Sequence, residues 1–298
     1  MWVLGLGPSV VQADAKPAGP YDVKPSTQTV KRREAVLALS QSNDGPQAAP
    51  GLLEALKDKD PMTRMLALQG LGSLKYKDAR PQLAERLAAD PNAQVRETAA
   101  VSLRQIEDPQ AVDALVKALH DPVMNVRVTA LMGLGRYRDP KTRSAVEAMT
   151  KDKAPEVRRT ALYAISRIGD RASSPVVQLL LKDADIPVRA GAAQTLGELR
   201  AADSKGLLEA LLKDPNASVQ VSAARSLLML GDSTGFEKAK SFSRDPDIAV
   251  RLIAIDALGW SKDPEAESDL NTLLTETPAN SRMAVQESLL RTQQLRKR

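Results

Sequence analysis

The residues of this chain that could do chemistry are its aspartates and arginines, and they recur at fixed intervals. Arginine stands at Arg32, Arg64, Arg96, Arg127, Arg158, Arg189, Arg251 and Arg282, with Gln220 filling one place in the series. Two steps of 32 residues lead into steps of 31. A column of aspartates runs beside them through Asp60, Asp90, Asp121, Asp152, Asp183, Asp214 and Asp245, in the regular copies six residues before the arginine position. Carboxylates could serve as general acids, bases or metal ligands, and guanidinium forks as anion clamps. A reaction needs its site once, whereas this pair repeats along the whole chain. The pattern therefore points to a structural ladder, each arginine bonding turn carboxylates or carbonyls of its own or the adjacent unit.

Other reactive groups are scarce. The chain has no cysteine, which excludes disulfides, thiolate zinc sites and thiol catalysis. Its one histidine, His120, ends a predicted helix just before Asp121, where an imidazole suits the helix dipole. There is no G-x-S-x-G, no phosphate-cradling glycine loop and no Cys–His pair. No catalytic residue, metal ligand or cofactor is assigned. Charge is nearly balanced, 42 basic against 37 acidic side chains, which argues against the basic stripe of a nucleic-acid binder. No apolar run reaches the ~18 residues of a membrane span.

The elements that carry these columns are helices. Three residues after each arginine position comes Ala35, Ala67, Ala99, Ala130, Ala161, Ala192, Ala223 and Ala254, then Val285. Seven residues after it comes Leu39, Leu71, Leu103, Leu134, Ile165, Leu196, Leu227, Leu258 and Leu289. Self-similarity at this period is the signature of a repeat array, in which each unit packs on its neighbours. Positions −1, +3, +4, +7 and +10 from the arginine are apolar, the stripe of a helix with one buried face. Small residues at +6, such as Ser102, Gly133 and Ser226, suit close stacking of successive helices. Each unit thus reads as a helix pair. Asp139 and its equivalents cap the first helix, and Asp152 and its equivalents the second, with prolines such as Pro122 and Pro140 just inside. Ser26 or Thr27 caps the opening helix, a half-unit without a partner.

The unit D-P-x-x-x-V-R-x-x-A-x-x-A-L-G, for example Asp121 to Gly135, resembles the HEAT-like repeat of the phycobilisome-lyase type. The resemblance covers residues 28 to 298 and implies an all-α superhelical solenoid of about eight repeats plus an N-terminal half-repeat. Arrays of this kind serve as lyases, hydroxylases, DNA glycosylases and binding scaffolds. A deoxyhypusine hydroxylase of this class would need several His–Glu pairs to hold iron, which one histidine cannot supply. Before the array, residues 1 to 15 are apolar, end in Ala13-Asp14-Ala15 and resemble a signal-peptide tail without its basic start; residues 16 to 27 read as a proline-rich linker. Export to the periplasm is the expectation from this pattern, with a cytoplasmic protein as the alternative.

The positions +1, +5 and +9 lie on one line of the second helix, the line that the resemblance places on the concave face. They vary while the columns around them do not. At the centre, Val128, Met132, Arg136, Arg159, Tyr163 and Arg167 form a basic patch with apolar and aromatic members. Further on, Val221, Met229, Leu252 and Trp260 form an apolar patch with Arg225 and Asp256 beside it. Tyr, Trp, Met and Arg are enriched at protein interfaces. The expected function is a non-enzymatic scaffold holding a protein or peptide on this face. A glycosylase-like nucleic-acid binder and a bilin-lyase-like subunit are the alternatives; Glu97, Glu198, Asp256 and Glu287 on the same line count against phosphate binding.

Overall fold

The computed structural model describes residues 25–41, 45–276 and 279–296. The signal-like segment and most of the proposed linker lie outside these. The described residues contain helices and turns and no strand. Helix α1 (Thr27–Gln41) stands alone, its first turn capped by the Ser26 hydroxyl, which accepts from the Thr29 N–H at 3.2 Å. Eight pairs follow: α2 (Ala49–Ala55) with α3 (Pro61–Ser73), α4 (Arg80–Ala89) with α5 (Ala93–Gln105), α6 (Val112–Ala118) with α7 (Met124–Tyr137), and α8 (Arg143–Ala148) with α9 (Pro155–Ile168). The second half holds α10 (Ser174–Leu179) with α11 (Ile186–Glu198), α12 (Lys205–Leu211) with α13 (Ala217–Met229), α14 (Phe236–Phe242) with α15 (Ile248–Leu258), and α16 (Pro264–Glu276) with α17 (Ala279–Arg296). Second helices pack side by side along the whole array, while first helices touch one another far less.

The apolar columns make the core. From Ala67 and Leu71 to Ala254 and Leu258, every alanine and leucine or isoleucine of the two columns is buried. Each fully buried leucine stabilises by about 2 kcal/mol. Ala35 and Leu39 of α1 are the exceptions, exposed and half-buried, because α1 has no first helix of its own. Two small-residue columns set the spacing of the second helices. The glycine at +8 lies against the +6 residue of the next repeat: Gly72 on Ser102, Gly135 on Ala164, Gly197 on Ser226 and Gly259 on Ser288. At Gly197 an added Cβ would come within 2.9 Å of the Ser226 Cα, so glycine is required by close approach. The buried +6 hydroxyls donate across the same seam, Ser102 to the Leu68 carbonyl and Ser226 to that of Ala193, both at 2.8 Å.

The arginine column is the expected ladder. Arg64 donates through Nε and Nη2 to both oxygens of Asp90 at 2.7 and 2.8 Å, and through Nη1 to the Asp58 carbonyl of its own turn. Arg96 to Asp121, Arg127 to Asp152, Arg158 to Asp183 and Arg189 to Asp214 repeat both contacts. The aspartate, however, is not the cap of the second helix. Its Oδ1 accepts from the N–H two residues on, as Asp121 does from Val123 at 2.8 Å, which folds the inter-helix turn. The cap falls at that later residue: Asn92, Asp185, Asn216 and Asp247 accept there, while Val123 and Ala154 offer no side chain. Asp60 is likewise two residues out of register. It caps α3 and pairs with Arg33, while Asp58 takes the ladder place and receives Arg32. Burial opposes the ionised form of Asp121, Asp152, Asp183 and Asp214, but the arginine fork and the turn N–H outweigh it and hold these carboxyls below the usual range.

Two rungs lack the carboxylate fork: Arg251 keeps its bonds to the Asp245 and Pro246 carbonyls but meets the Ser281 hydroxyl at 3.4 Å in place of an aspartate, and at Gln220 the arginine itself is missing. Gln220 keeps the bond to its own turn, Nε2 to the Asp214 carbonyl at 2.5 Å, but does not reach Asp245. Asp245 has no ion-pair partner among the described residues. The packed core also divides here. One cluster runs from Val36 to Leu227, and the C-terminal repeats form separate clusters around Leu258 and around Val250.

Candidate functional site

Of the six central residues singled out on the second-helix line, four meet in one groove. Met132 and Arg136 of α7 and Tyr163 and Arg167 of α9 line a cavity of about 470 Å³ together with Gly72, Ser73 and Lys75 after and within α3, and Arg104, Gln105 and Glu107 of and after α5. The groove therefore crosses four consecutive second helices near their C-terminal ends. Gly72 of the glycine seam lines it, and Gly135 lies beside it under Tyr163. The Tyr163 ring lies 3.2 Å from where a Gly135 Cβ would stand, and the Gln105 amide oxygen lies over Gly72. Tyr163 is 49% exposed and Met132 40%, large apolar surfaces open to solvent.

The groove is basic. Lys75, Arg104, Arg136 and Arg167 face one acid, Glu107. A single oxygen of Glu107 receives Arg136 at 2.5 Å and Lys75 at 3.2 Å. The Arg136 guanidinium, aided by the Lys75 ammonium, holds this carboxyl below its usual range. Arg104 and Arg167 make no ion pair or hydrogen bond among the described residues. Val128 is half-buried against the core, and Arg159, though exposed, is not among the lining residues. Beside the groove, at the N-terminal ends of α3 and α5, Met62, Met65, Gln69, Glu97 and Val101 line a more apolar hollow of about 500 Å³.

The second predicted patch is partly closed. Val221 is fully buried and Met229 nearly so, because the line turns inward where α13 packs between α11 and α15. Arg225 is bound to Asp256 at 2.5 Å, and Arg291 reaches the other Asp256 oxygen at 2.6 Å. Burial raises the Asp256 carboxyl, but the two arginines prevail and lower it. The guanidiniums of Arg200 and Arg291 stand 5.2 and 4.7 Å from the Trp260 ring centre. These side chains tie the last repeats together through Arg225, Asp256 and Arg291, with Leu252 and Trp260 left partly exposed.

The pattern of the line did not reveal Lys75, Arg104 or Glu107. Lys75 and Glu107 sit at +11, where the chain leaves the helix through a left-handed residue. Lys75, Glu107, Arg138 and Arg200 have φ of 50, 53, 53 and 55°, and the equivalent places hold Gly169 and Gly231. Two glycines in register were the available signal. His120 lines a different hollow, between α4 and α6 in the first-helix layer, with Arg80, Leu87 and Lys117. Among the described residues no group of three or more His, Cys, Asp or Glu is placed to hold a metal ion, and no helix is long and apolar enough to cross a membrane.

A family model described as HEAT repeats matches six overlapping stretches that run from residue 25 to residue 290. Among curated proteins, deoxyhypusine hydroxylase-B of rice (Oryza sativa subsp. japonica) is 34% identical over 87 residues, which is 28% of this chain and 28% of the rice protein. The match thus spans under a third of that relative. Among solved structures, Escherichia coli YibA aligns with a TM-score of 0.59 at 22% identity, over 91% of this chain and 98% of the other. The complex of CpcE and CpcF of phycocyanin lyase from Nostoc sp. PCC7120 aligns with a TM-score of 0.55 at 20% identity, over 72% of this chain and 94% of the matched one. At these identities the two structures share the fold.

Proposed function

The chain belongs to the HEAT-repeat family, and from that premise we propose that it is a non-enzymatic scaffold that holds a protein or peptide along its second-helix layer. The observation that carries this is the groove across α3, α5, α7 and α9, where exposed Tyr163 and Met132 stand among four cations beside the glycine seam. Closer packing of second helices than of first helices supports reading the second-helix side as the concave face. A rigid seam presenting aromatic, methionine and arginine side chains has the composition of a protein interface. The likeness to the rice hydroxylase is read as shared repeat sequence, since a single imidazole, His120, leaves no set of histidine ligands. The CpcE–CpcF structure is an assembly of two proteins, which is compatible with a protein partner.

The test is site-specific photocrosslinking in native extract, with the reactive residue at Tyr163 or, as a control in the first-helix layer, at 70% exposed Leu179. A discrete adduct from position 163, absent from position 179 and lost in an Arg104→Glu/Arg167→Glu background, supports the scaffold. Equal labelling from both positions, or adducts only with nucleic acid, rejects it.

A further inference from the structure

We infer that the groove takes an extended acidic peptide segment, and that Glu107 is a built-in occupant which the partner's carboxylate displaces. This rests on the scaffold function proposed above and names the chemistry of its partner. The first support is charge. Four cations, Lys75, Arg104, Arg136 and Arg167, share the groove with one carboxylate, and two of the four have no ion-pair partner among the described residues. The second is the way Glu107 is held. Both of its partners use one oxygen, and the side chains of Lys75, Glu107 and Arg136 are 60%, 42% and 56% exposed. An ion pair so open to water adds little to stability, so exchange for an external carboxylate costs little.

The third support is backbone strain. Lys75 and Glu107 occupy left-handed positions that Gly169 and Gly231 fill without strain in sister repeats. Non-glycine residues in this region are destabilising and cluster where a side chain has a task. Here the task is to project opposite charges over one groove from two successive turns. The hollow of Met62, Met65 and Val101 lies along the same two helices; with Glu97 at its edge it repels a carboxylate and suits an apolar side chain of the same segment. Charge complementarity thus selects an acidic peptide, and the methionine hollow favours one with interspersed apolar residues.

The experiment is fluorescence anisotropy with the full chain and a labelled peptide of alternating Glu and Leu. A Lys/Leu peptide and an oligo(dT) strand are the comparison probes. The Glu/Leu peptide should bind, less tightly as salt is added. Glu107→Gln should tighten binding about fivefold by removing the internal competitor. Glu237→Gln, the same charge change on distant α14, should leave affinity unchanged, and Arg104→Glu/Arg167→Glu should abolish binding with an unaltered circular dichroism spectrum. Equal effects of Glu107→Gln and Glu237→Gln would overturn the displacement, leaving only general charge. Peptide binding that survives the double arginine variant would overturn the site. Preferential binding of oligo(dT) would replace the peptide by nucleic acid. No binding of the Glu/Leu peptide, with crosslinking from position 163 intact, would reject the acidic occupant and leave the scaffold standing; loss of both would reject both.

Discussion

Substituting Gln220→Arg should restore the missing fork on Asp245, at the place along the array where the packed core divides. In the neighbouring rung, Arg189 reaches Asp214 at 3.0 and 3.3 Å, with side chains 14% and 7% exposed. Gln220 already makes the carbonyl bond of its own turn, so the gain is confined to the fork on Asp245. Two charge-assisted bonds on a partly buried carboxylate, less the ordering of a long side chain, give about 1 kcal/mol. In a repeat array stability is close to a sum of repeat and nearest-neighbour interface terms, so the gain belongs to the α13–α15 interface. Hydrogen exchange followed by mass spectrometry should show amides of α15 slowed about fivefold, with those of α5 unchanged. The gain should vanish in a Gln220→Arg/Asp245→Asn background. Unchanged exchange in α15, or equal slowing with and without the Asp245 carboxylate, would refute the ladder as a source of cohesion between repeats.

Acid should unravel the array through the same ladder. Asp121, Asp152, Asp183 and Asp214 have lowered folded-state values, so their contribution is present above the unfolded value of about 3.9 and is lost as pH falls through the folded values; circular dichroism melts taken between neutral pH and about pH 2 should show a drop concentrated below about pH 4. Gly235→Ala should destabilise by about 1–3 kcal/mol, because the new Cβ would run into the Ala224 backbone. Gly206→Ala, inside α12 with nothing within 4 Å, should instead stabilise by about 0.5–1 kcal/mol, and urea denaturation of the pair checks both signs. Arg138→Gly should raise stability by about 1 kcal/mol by relieving a left-handed residue that makes no ion pair among the described residues, measured by the same denaturation.

The ladder, the buried columns and the helix pairs were legible in the sequence because each depends on neighbours a fixed distance away along the chain. Arg127 finds Asp152 25 residues later as surely as Arg158 finds Asp183. The cap positions were misjudged because an aspartate before a helix satisfies two geometries equally in sequence, a cap or a turn one step earlier, and the choice is made by the arginine arriving from the preceding repeat. The groove was half legible. Met132, Arg136, Tyr163 and Arg167 share a helix line, but Lys75, Arg104 and Glu107 come to them only through the stacking of four helices.

Sequence by itself determined the repeat, its period, its buried face and its near-neutral, cysteine-free chemistry, since local periodicity and nearest-neighbour packing suffice for those. Tertiary structure decided which exposed-looking residues are exposed. Val221 occupies the same line as Val128 and Tyr163, yet it is fully buried between packed helices while Tyr163 stands in open groove. A helix line fixes direction relative to its own axis; whether a neighbour covers that direction depends on the spacing of successive repeats, which small differences at the glycine seam and in the ladder set.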